Sequence, residues 1–171
     1  MSEWVFAVER AYVAIATSGG PSIELQLGRE SADRIAAASG AVASRFLAVG
    51  TPRSLSLIVD ADTQLAAAAL SLEAHRTWFS PADIRVTHAA LPGRVVPIAE
   101  ALAADIVCIH GATEVLATQV RRGTHLNVLG PAVLDPELLA VATVVDRAAL
   151  PAMAAGFVDG RQLDELTVFR Y

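Results

Sequence analysis

The stretch from Leu55 to His75 constrains the fold of this chain more than any other part of its sequence. Leu55 to Val59 is an almost uninterrupted apolar run, which predicts a strand that is buried on both faces of a sheet. A polar turn, Asp60 to Gln64, leads into an alanine-rich helix from Leu65 to His75. In nucleotide-binding α/β proteins this turn is rich in glycine and cradles a diphosphate. Here it has two carboxylates and no glycine, so the architecture is predicted without the phosphate-binding chemistry.

Predicted strands and helices alternate over the middle of the chain. Beyond the first unit, strands are predicted over 84–88, 94–96, 105–110, 124–129 and 143–146, and helices over 97–104 and 136–142. Asp135 is a good N-cap for the last helix, and Pro136 suits its first turn. The alternation predicts an α/β fold with a Rossmann-like, mostly parallel sheet and helices on both faces.

Further elements flank this middle part. The spacing of Val5, Val8, Tyr12 and Ile15 predicts a helix over 3–17. The remaining predicted elements are a strand over 22–27, a helix over 31–49, a helix over 150–157 and a strand over 166–169. We therefore predict three units. They are an N-terminal helix–strand–helix segment (1–50), a Rossmann-like domain (51–150), and a C-terminal helix and strand (151–171) that return to the N-terminal segment.

Composition excludes several classes of function. The 171 residues are 54% hydrophobic and 18% charged, which is typical of a compact globule. All 13 basic residues are arginine, so no lysine can form a Schiff base. A net charge of −5 without basic clusters argues against a nucleic-acid partner. With no signal peptide, no apolar run of membrane length and a lone Cys108, we expect a cytoplasmic protein that does not bind a membrane.

Six stretches, taken in order, resemble the ornithine cyclodeaminase/μ-crystallin family. They are 6–12, 32–39, 104–113, 122–130, 135–146 and 160–169. The first resembles the family's opening helix, and the second resembles the helix that carries its arginine. The resemblance implies a Rossmann-like domain, NAD(P) as the cofactor, and a small amino or imino acid as the substrate.

The chain departs from that family where the family's chemistry resides. It is much shorter and lacks most of the segment that builds the substrate barrel. Asp60 to Asp62 replace the glycine fingerprint, and their charges would repel a diphosphate. The family's substrate-binding lysine is absent, and Pro131 and Ala132 stand where its catalytic aspartate is expected. Only Arg34 is retained among the active-site residues, so we expect no cofactor, with NAD(P) as the alternative.

Polar side chains at the predicted strand ends are the candidates for a site. The carboxyl ends of parallel strands meet at one edge of a sheet, which is where such folds bind ligands. We therefore predict catalytic and substrate-binding residues among the side chains near this edge. The catalytic candidates are Asp60 and His110, and the substrate-binding candidates are Arg34, Asp62, His88 and Thr113.

Each candidate also has a structural interpretation. Asp62 or Thr63 can cap the helix that follows, and Arg34 can be a surface residue that pairs with a nearby acid. Asp60, His88 and His110 can form a metal or proton-transfer site, or the histidines can simply make hydrogen bonds at the rim of the sheet. We predict no bound metal.

Three functions remain open. The first is a reduced family member that binds a small amino-acid-derived metabolite and, if catalytic, performs a non-redox proton transfer such as cyclisation, elimination or isomerisation. The second is a non-catalytic homo-oligomer, a dimer, or an accessory subunit, in which self-association covers apolar faces that the missing barrel exposes. The third is an NAD(P)-dependent ketimine reductase or cyclodeaminase.

Overall fold

A seven-stranded parallel sheet forms the centre of the computed structural model, which describes residues 3–8, 11–16, 22–27, 32–48, 50–150 and 165–171. Strands are numbered in chain order. From one edge of the sheet to the other they are β11 (Thr143–Asp146), β12 (Thr167–Arg170), β9 (His125–Val128), β7 (Ile106–Ile109), β4 (Ser54–Ile58), β5 (Asp83–Val86) and β6 (Arg94–Val95). All neighbouring pairs run parallel, so the predicted Rossmann-like α/β fold is confirmed.

Helices cover both faces of this sheet. The helices α1 (Ala32–Leu47) and α2 (Leu65–Arg76) pack on one face, against side chains such as Leu57 and Phe169. The short helices α3 (Ile98–Ala101) and α4 (Pro136–Val141) pack on the other face. Every residue of β4, β7 and β9 is buried, because these central strands are covered on both sides.

The N-terminal residues form strands where a helix was predicted. Strands β1 (Glu3–Val8), β2 (Ala11–Ala16) and β3 (Ser22–Leu27) make an antiparallel sheet in that order, and this sheet contacts α1. The helix predicted over 3–17, and with it the likeness of 6–12 to an opening helix, is wrong. The stretch is rich in β-branched and aromatic residues, which favour strands, and its apolar residues are too continuous for their spacing to identify a helix. The strand predicted over 22–27 is confirmed.

Close packing explains the glycine in the middle of α1. A Cβ at Gly40 would lie 3.2 Å from Leu129 Cδ2 and 3.5 Å from Asn127 Cγ, so the glycine lets the helix lie close to the C-terminal end of β9 without displacing Leu129. The helix predicted over 31–49 therefore belongs to the packing of the main sheet. As predicted, Asp135 caps α4, since its Oδ1 accepts a 2.9 Å hydrogen bond from the amide of Glu137.

The C-terminal strand lies inside the main sheet. β12 pairs with β9 and β11 and also contacts α1, a helix of the predicted N-terminal segment that packs on the same sheet. The helix predicted over 150–157 lies almost wholly outside the described residues, and the three-unit division and the homo-oligomer stay predictions. Two short strands, β8 (Glu114–Val115) and β10 (Val133–Leu134), form a separate parallel pair. Within the described ranges, no helix has the length and apolar character that crossing a membrane requires.

Candidate functional site

The candidate site lies at the C-terminal edge of the main sheet, between β4 and β7. From β4 the chain continues to β5 and β6 on one side, whereas β7, β9 and β12 extend the sheet on the other. Such a reversal of strand order leaves a crevice between two turns, and open α/β sheets bind their ligands there. The two turns in this chain are 60–64 and 110–113.

The carboxylate of Asp60 bridges this crevice. Its Oδ2 accepts a 2.9 Å hydrogen bond from the amide of Ala112, and its Oδ1 accepts one from the side-chain amide of Gln64. The Gln64 side chain in turn accepts a 2.8 Å bond from the amide of Asp60. Gly111 permits this approach, because a Cβ there would lie 2.8 Å from the Asp60 carboxylate. Oδ2 of Asp60 therefore links the two turns, and Oδ1 fixes the carboxylate within its own turn.

Asp62 and His88 make a second contact across the same edge. His88 Nδ1 accepts a 3.2 Å hydrogen bond from the amide of Ala90, so the neutral ring carries its proton on Nε2. That Nε2 lies 3.1 Å from Asp62 Oδ1. The predicted helix cap by Asp62 or Thr63 is wrong, because neither N-cap position of the turn and helix makes a side-chain cap bond. Asp62 instead ties the turn after β4 to the end of β5.

His110 is the buried titratable group of the site. It follows β7 and lies on the same face as Cys108, because side chains two residues apart in a strand share a face. The residue is 7% exposed, and within the described part of the chain its buried Nε2 has no hydrogen-bond partner. Burial and the neighbouring His75 lower the pKa of His110 to about 4. The ring is therefore neutral at physiological pH and can accept a proton.

The structure does not bring the two predicted histidines side by side. His88 follows β5 and His110 follows β7, and β4 lies between those strands. Asp60 bonds to Gln64 in its own turn and to Ala112 in the facing turn, rather than to either histidine ring. Among the residues that the structure describes, no three His, Cys, Asp or Glu side chains are grouped to hold a metal ion. A metal cluster of Asp60, His88 and His110 is therefore not formed.

The other two candidates flank the crevice. Thr113 is 8% exposed, and its carbonyl accepts a 3.0 Å hydrogen bond from the amide of Val133, which ties the turn after β7 to β10. Arg34 lies in the first turn of α1 and is partly buried. Since α1 leads into β4, its first turn lies towards the edge that carries the crevice.

A row of hydrogen-bonded, buried polar side chains lies beneath the site, between the sheet and helices α1 and α2. Thr167 Oγ1 and His125 Nδ1 are 2.9 Å apart, and His125 Nε2 and Asn127 Oδ1 are 3.0 Å apart. Asn127 Nδ2 donates to Ser44 Oγ at 2.7 Å, and Ser44 Oγ lies 2.8 Å from His75 Nε2. All five side chains are 0% exposed, so these hydrogen bonds replace the water that burial removes.

One arrangement of protons gives every hydrogen bond in this row a donor and an acceptor. His75 Nδ1 lies 2.7 Å from the carbonyl of Ser71, which can only accept, so Nδ1 carries the proton and Nε2 accepts from the hydroxyl of Ser44. Asn127 donates to Ser44 and accepts from His125 Nε2. His125 Nδ1 then accepts from the hydroxyl of Thr167. Burial lowers the pKa of His75 to about 4, which keeps this ring neutral.

Two of these five residues can be paired from the sequence alone. His125 and Asn127 are two positions apart in a predicted strand, so they share a face, and both are buried in the structure. Ser44 and His75 were missed as polar contacts. The available signal was the spacing of Ala68, Leu72 and His75 at i, i+4 and i+7, which puts all three on one helix face. A histidine on an apolar face is expected to face the core and to need a polar partner.

Cys108 lies at the centre of this face, and we expect it to be unreactive in the folded protein. Burial raises the pKa of its thiol to about 12, although a 3.7 Å hydrogen bond from Asn127 works in the opposite direction. Because the thiolate is the reactive form, an aromatic disulfide reagent should modify Cys108 only as fast as the chain opens. Release of the reagent's thiolate within seconds in native buffer, at the rate seen in denaturant, would contradict this.

Comparisons with known proteins show matches only among solved structures; no family model and no curated protein matches. The iminosuccinate reductase of Paracoccus denitrificans, in complex with NAD+, has a TM-score of 0.68 at 18% identity over 93% of this chain and 63% of that chain. A probable ornithine cyclodeaminase from Bordetella pertussis Tohama I has a TM-score of 0.64 at 18% identity, over 98% and 70%. A lysine cyclodeaminase has a TM-score of 0.60 at 20% identity, over 94% and 59%.

These likenesses establish the fold alone. At identities of this size no functional residue can be transferred from one protein to the other. The chain spans 63% of the length of the reductase and 59% of that of the lysine cyclodeaminase. The resemblance drawn from the sequence is confirmed at the level of the fold. The chain thus has the fold of the ornithine cyclodeaminase/μ-crystallin proteins over part of their length.

Proposed function

We propose that this chain works without a dinucleotide and binds a small amino-acid-derived metabolite at the C-terminal edge of its sheet. The reaction that suits its residues is a non-redox proton transfer, such as cyclisation, elimination or isomerisation. One observation carries the proposal, which is the closure of the crevice by Asp60. The reductase of similar fold was solved with NAD+, so NAD(P) is the alternative to be tested.

The residues at the turn after β4 do not fit a dinucleotide. A diphosphate at such a turn needs free backbone amides and room for close approach. The amide of Asp60 already donates to Gln64, and the amide of Ala112 across the crevice already donates to Asp60. The carboxylates of Asp60 and Asp62 add charge of the same sign as the diphosphate.

Within this proposal the six candidate residues divide into three roles. His110 is the catalytic base, by its position after β7 and its neutral ring. Because burial lowers its pKa to about 4, the bound substrate must itself stabilise the protonated ring. Asp60 acts as a positioning residue, because both of its oxygens already accept hydrogen bonds. The remaining four, Arg34, Asp62, His88 and Thr113, border the space for the substrate, and Arg34 suits a substrate carboxylate.

Titration calorimetry with NAD+, NADH, NADP+ and NADPH tests the absence of a dinucleotide. We expect no binding heat, which means dissociation constants above about 1 mM. A variant in which Asp60 and Asp62 are both replaced by glycine should gain affinity, because the turn then offers its amides without the negative charge. Micromolar binding by the unmodified chain would contradict the proposal and support a reductase or cyclodeaminase.

Titration calorimetry with L-ornithine and L-lysine tests whether the chain binds an amino-acid-derived metabolite. The lysine cyclodeaminase of similar fold recognises both amino acids. We expect a His110→Gln variant to lose proton transfer while keeping its fold. The matched control is Glu73→Gln, an exposed side chain on α2. Equal behaviour of both variants towards every ligand that binds would show that His110 has no part in the site.

A further inference from the structure

A second cavity lies at the opposite edge of the main sheet. It encloses about 360 Å³ beside the N-terminal ends of β9 and β12, at the C-terminal end of α4. The strands that separate it from the crevice of Asp60 are four residues long, or roughly 13 Å. Its volume falls within the range of roughly 300–1,000 Å³ that is typical of sites for small molecules. The cavity is therefore a separate compartment from the candidate site.

Charged side chains of both signs line this cavity. Arg121 forms an ion pair with Asp105, which is not part of the lining. Arg122 and Glu165, one basic and one acidic residue, line the same space. Both have partners within the chain, and Glu165 also accepts a hydrogen bond from Thr143. A guanidinium has five donors and a carboxylate about four acceptor sites, so each can hold a ligand group as well.

The rest of the wall is aliphatic. Val120, Val141 and Leu166 line the cavity, and the side chain of Val141 is 71% exposed although it belongs to a helix that packs on the sheet. An apolar wall next to one cation and one anion is complementary to a molecule with the same three parts. That molecule has a carboxylate for Arg122, an ammonium group for Glu165, and a short aliphatic side chain.

We propose that this cavity binds a free aliphatic L-α-amino acid. The site is distinct from the crevice at the C-terminal edge, and it stands or falls independently of the function proposed there. A bound amino acid would join three segments that meet at the cavity. These are the stretch 117–122, the end of α4 and the residues that lead into β12.

The test uses titration calorimetry and thermal unfolding of the full chain with L-leucine as the probe. We expect saturable binding of L-leucine in the submillimolar to millimolar range, a range of about −4 to −5 kcal/mol. Leucinamide lacks the carboxylate and 4-methylpentanoate lacks the ammonium group. Each should bind at least about tenfold more weakly, because one charge-assisted hydrogen bond is lost.

Two variants locate the binding. Val141→Phe fills the cavity from an exposed position, so the fold is retained while L-leucine binding is lost. Glu165→Gln keeps an acceptor for Thr143 but removes the charge, and it should weaken L-leucine about tenfold while leaving 4-methylpentanoate unchanged. The charge-matched control Glu73→Gln, on the exposed side of α2, should bind L-leucine like the unmodified chain.

The outcomes separate cleanly. No heat and no thermal shift with L-leucine up to tens of millimolar would overturn the proposal. Binding that survives Val141→Phe, or that is equal for L-leucine, leucinamide and 4-methylpentanoate, would also overturn it. Because neither variant touches the turns of Asp60 or His110, a failure here leaves the dinucleotide and proton-transfer tests unaffected.

Discussion

Replacing Gly130 with alanine will strongly destabilise the native fold. A Cβ at this position would lie 2.1 Å from the carbonyl oxygen of His110 and 2.5 Å from its carbonyl carbon. Both atoms belong to the backbone just after β7, and neither β7 nor β9 can shift, because these neighbouring strands are buried on both faces. We expect a loss of at least about 3 kcal/mol in the free energy of unfolding, a large part of the roughly 5–15 kcal/mol of a typical domain.

Gly50 provides the matched control for this glycine. Its φ is +60°, which disfavours any other residue, but no atom lies within 4 Å of a Cβ placed there. Gly50→Ala should therefore cost about 1–2 kcal/mol from backbone conformation alone. Denaturant titration followed by circular dichroism compares the two variants directly. Equal stability of the Gly130→Ala and Gly50→Ala chains would show that β7 and β9 do not approach each other as closely as described.

Acidification will destabilise the protein steeply between about pH 6.5 and pH 4. Burial lowers the pKa of both His75 and His110 from 6.5 to about 4, with His75 also acting on His110. In this window the unfolded chain binds protons that the folded chain excludes, so a falling pH favours unfolding. This stabilisation is complete above the pKa of the unfolded state and is lost as the pH falls to the pKa of the folded state. Each group contributes about 3 kcal/mol at most.

The measurement is the free energy of unfolding by denaturant at several pH values across that window. Replacing His110 with glutamine should reduce the pH dependence by up to about one proton per molecule, without removing it, because His75 still titrates. Below about pH 4 both states are protonated and the dependence due to these rings should end. A stability that is flat between pH 7 and pH 4.5 would mean that neither ring is buried in its neutral form.

Elements whose residues match one structural period were predictable from the sequence. β7 is an uninterrupted apolar run and β4 is interrupted only by serines, and this pattern between polar turns has few alternatives. Residues 3–17 were misjudged, because Val5, Val8, Tyr12 and Ile15 satisfy a helical spacing while the composition favours strands. What decided between the two was pairing with β3, a contact between segments that local spacing does not reveal.

The candidate site was predictable in its place but not in its bonding. The sequence puts Asp60 and His110 after strands, and the parallel sheet puts both at one edge. It does not say that a carboxylate will bond to the amide of Ala112, 52 positions away, or that β4 will separate His88 from His110. These facts depend on strand order and on the packing of turns, which are properties of the whole sheet.

The insertion of β12 between β9 and β11 has a consequence for biosynthesis. β12 occupies 167–170, and the ribosome makes it after both of its sheet neighbours. Until residues 167–170 are translated, β9 has an open edge and the imidazole of His125 lacks its contact with Thr167. The seven-stranded sheet can therefore be completed only after β12 has left the ribosome.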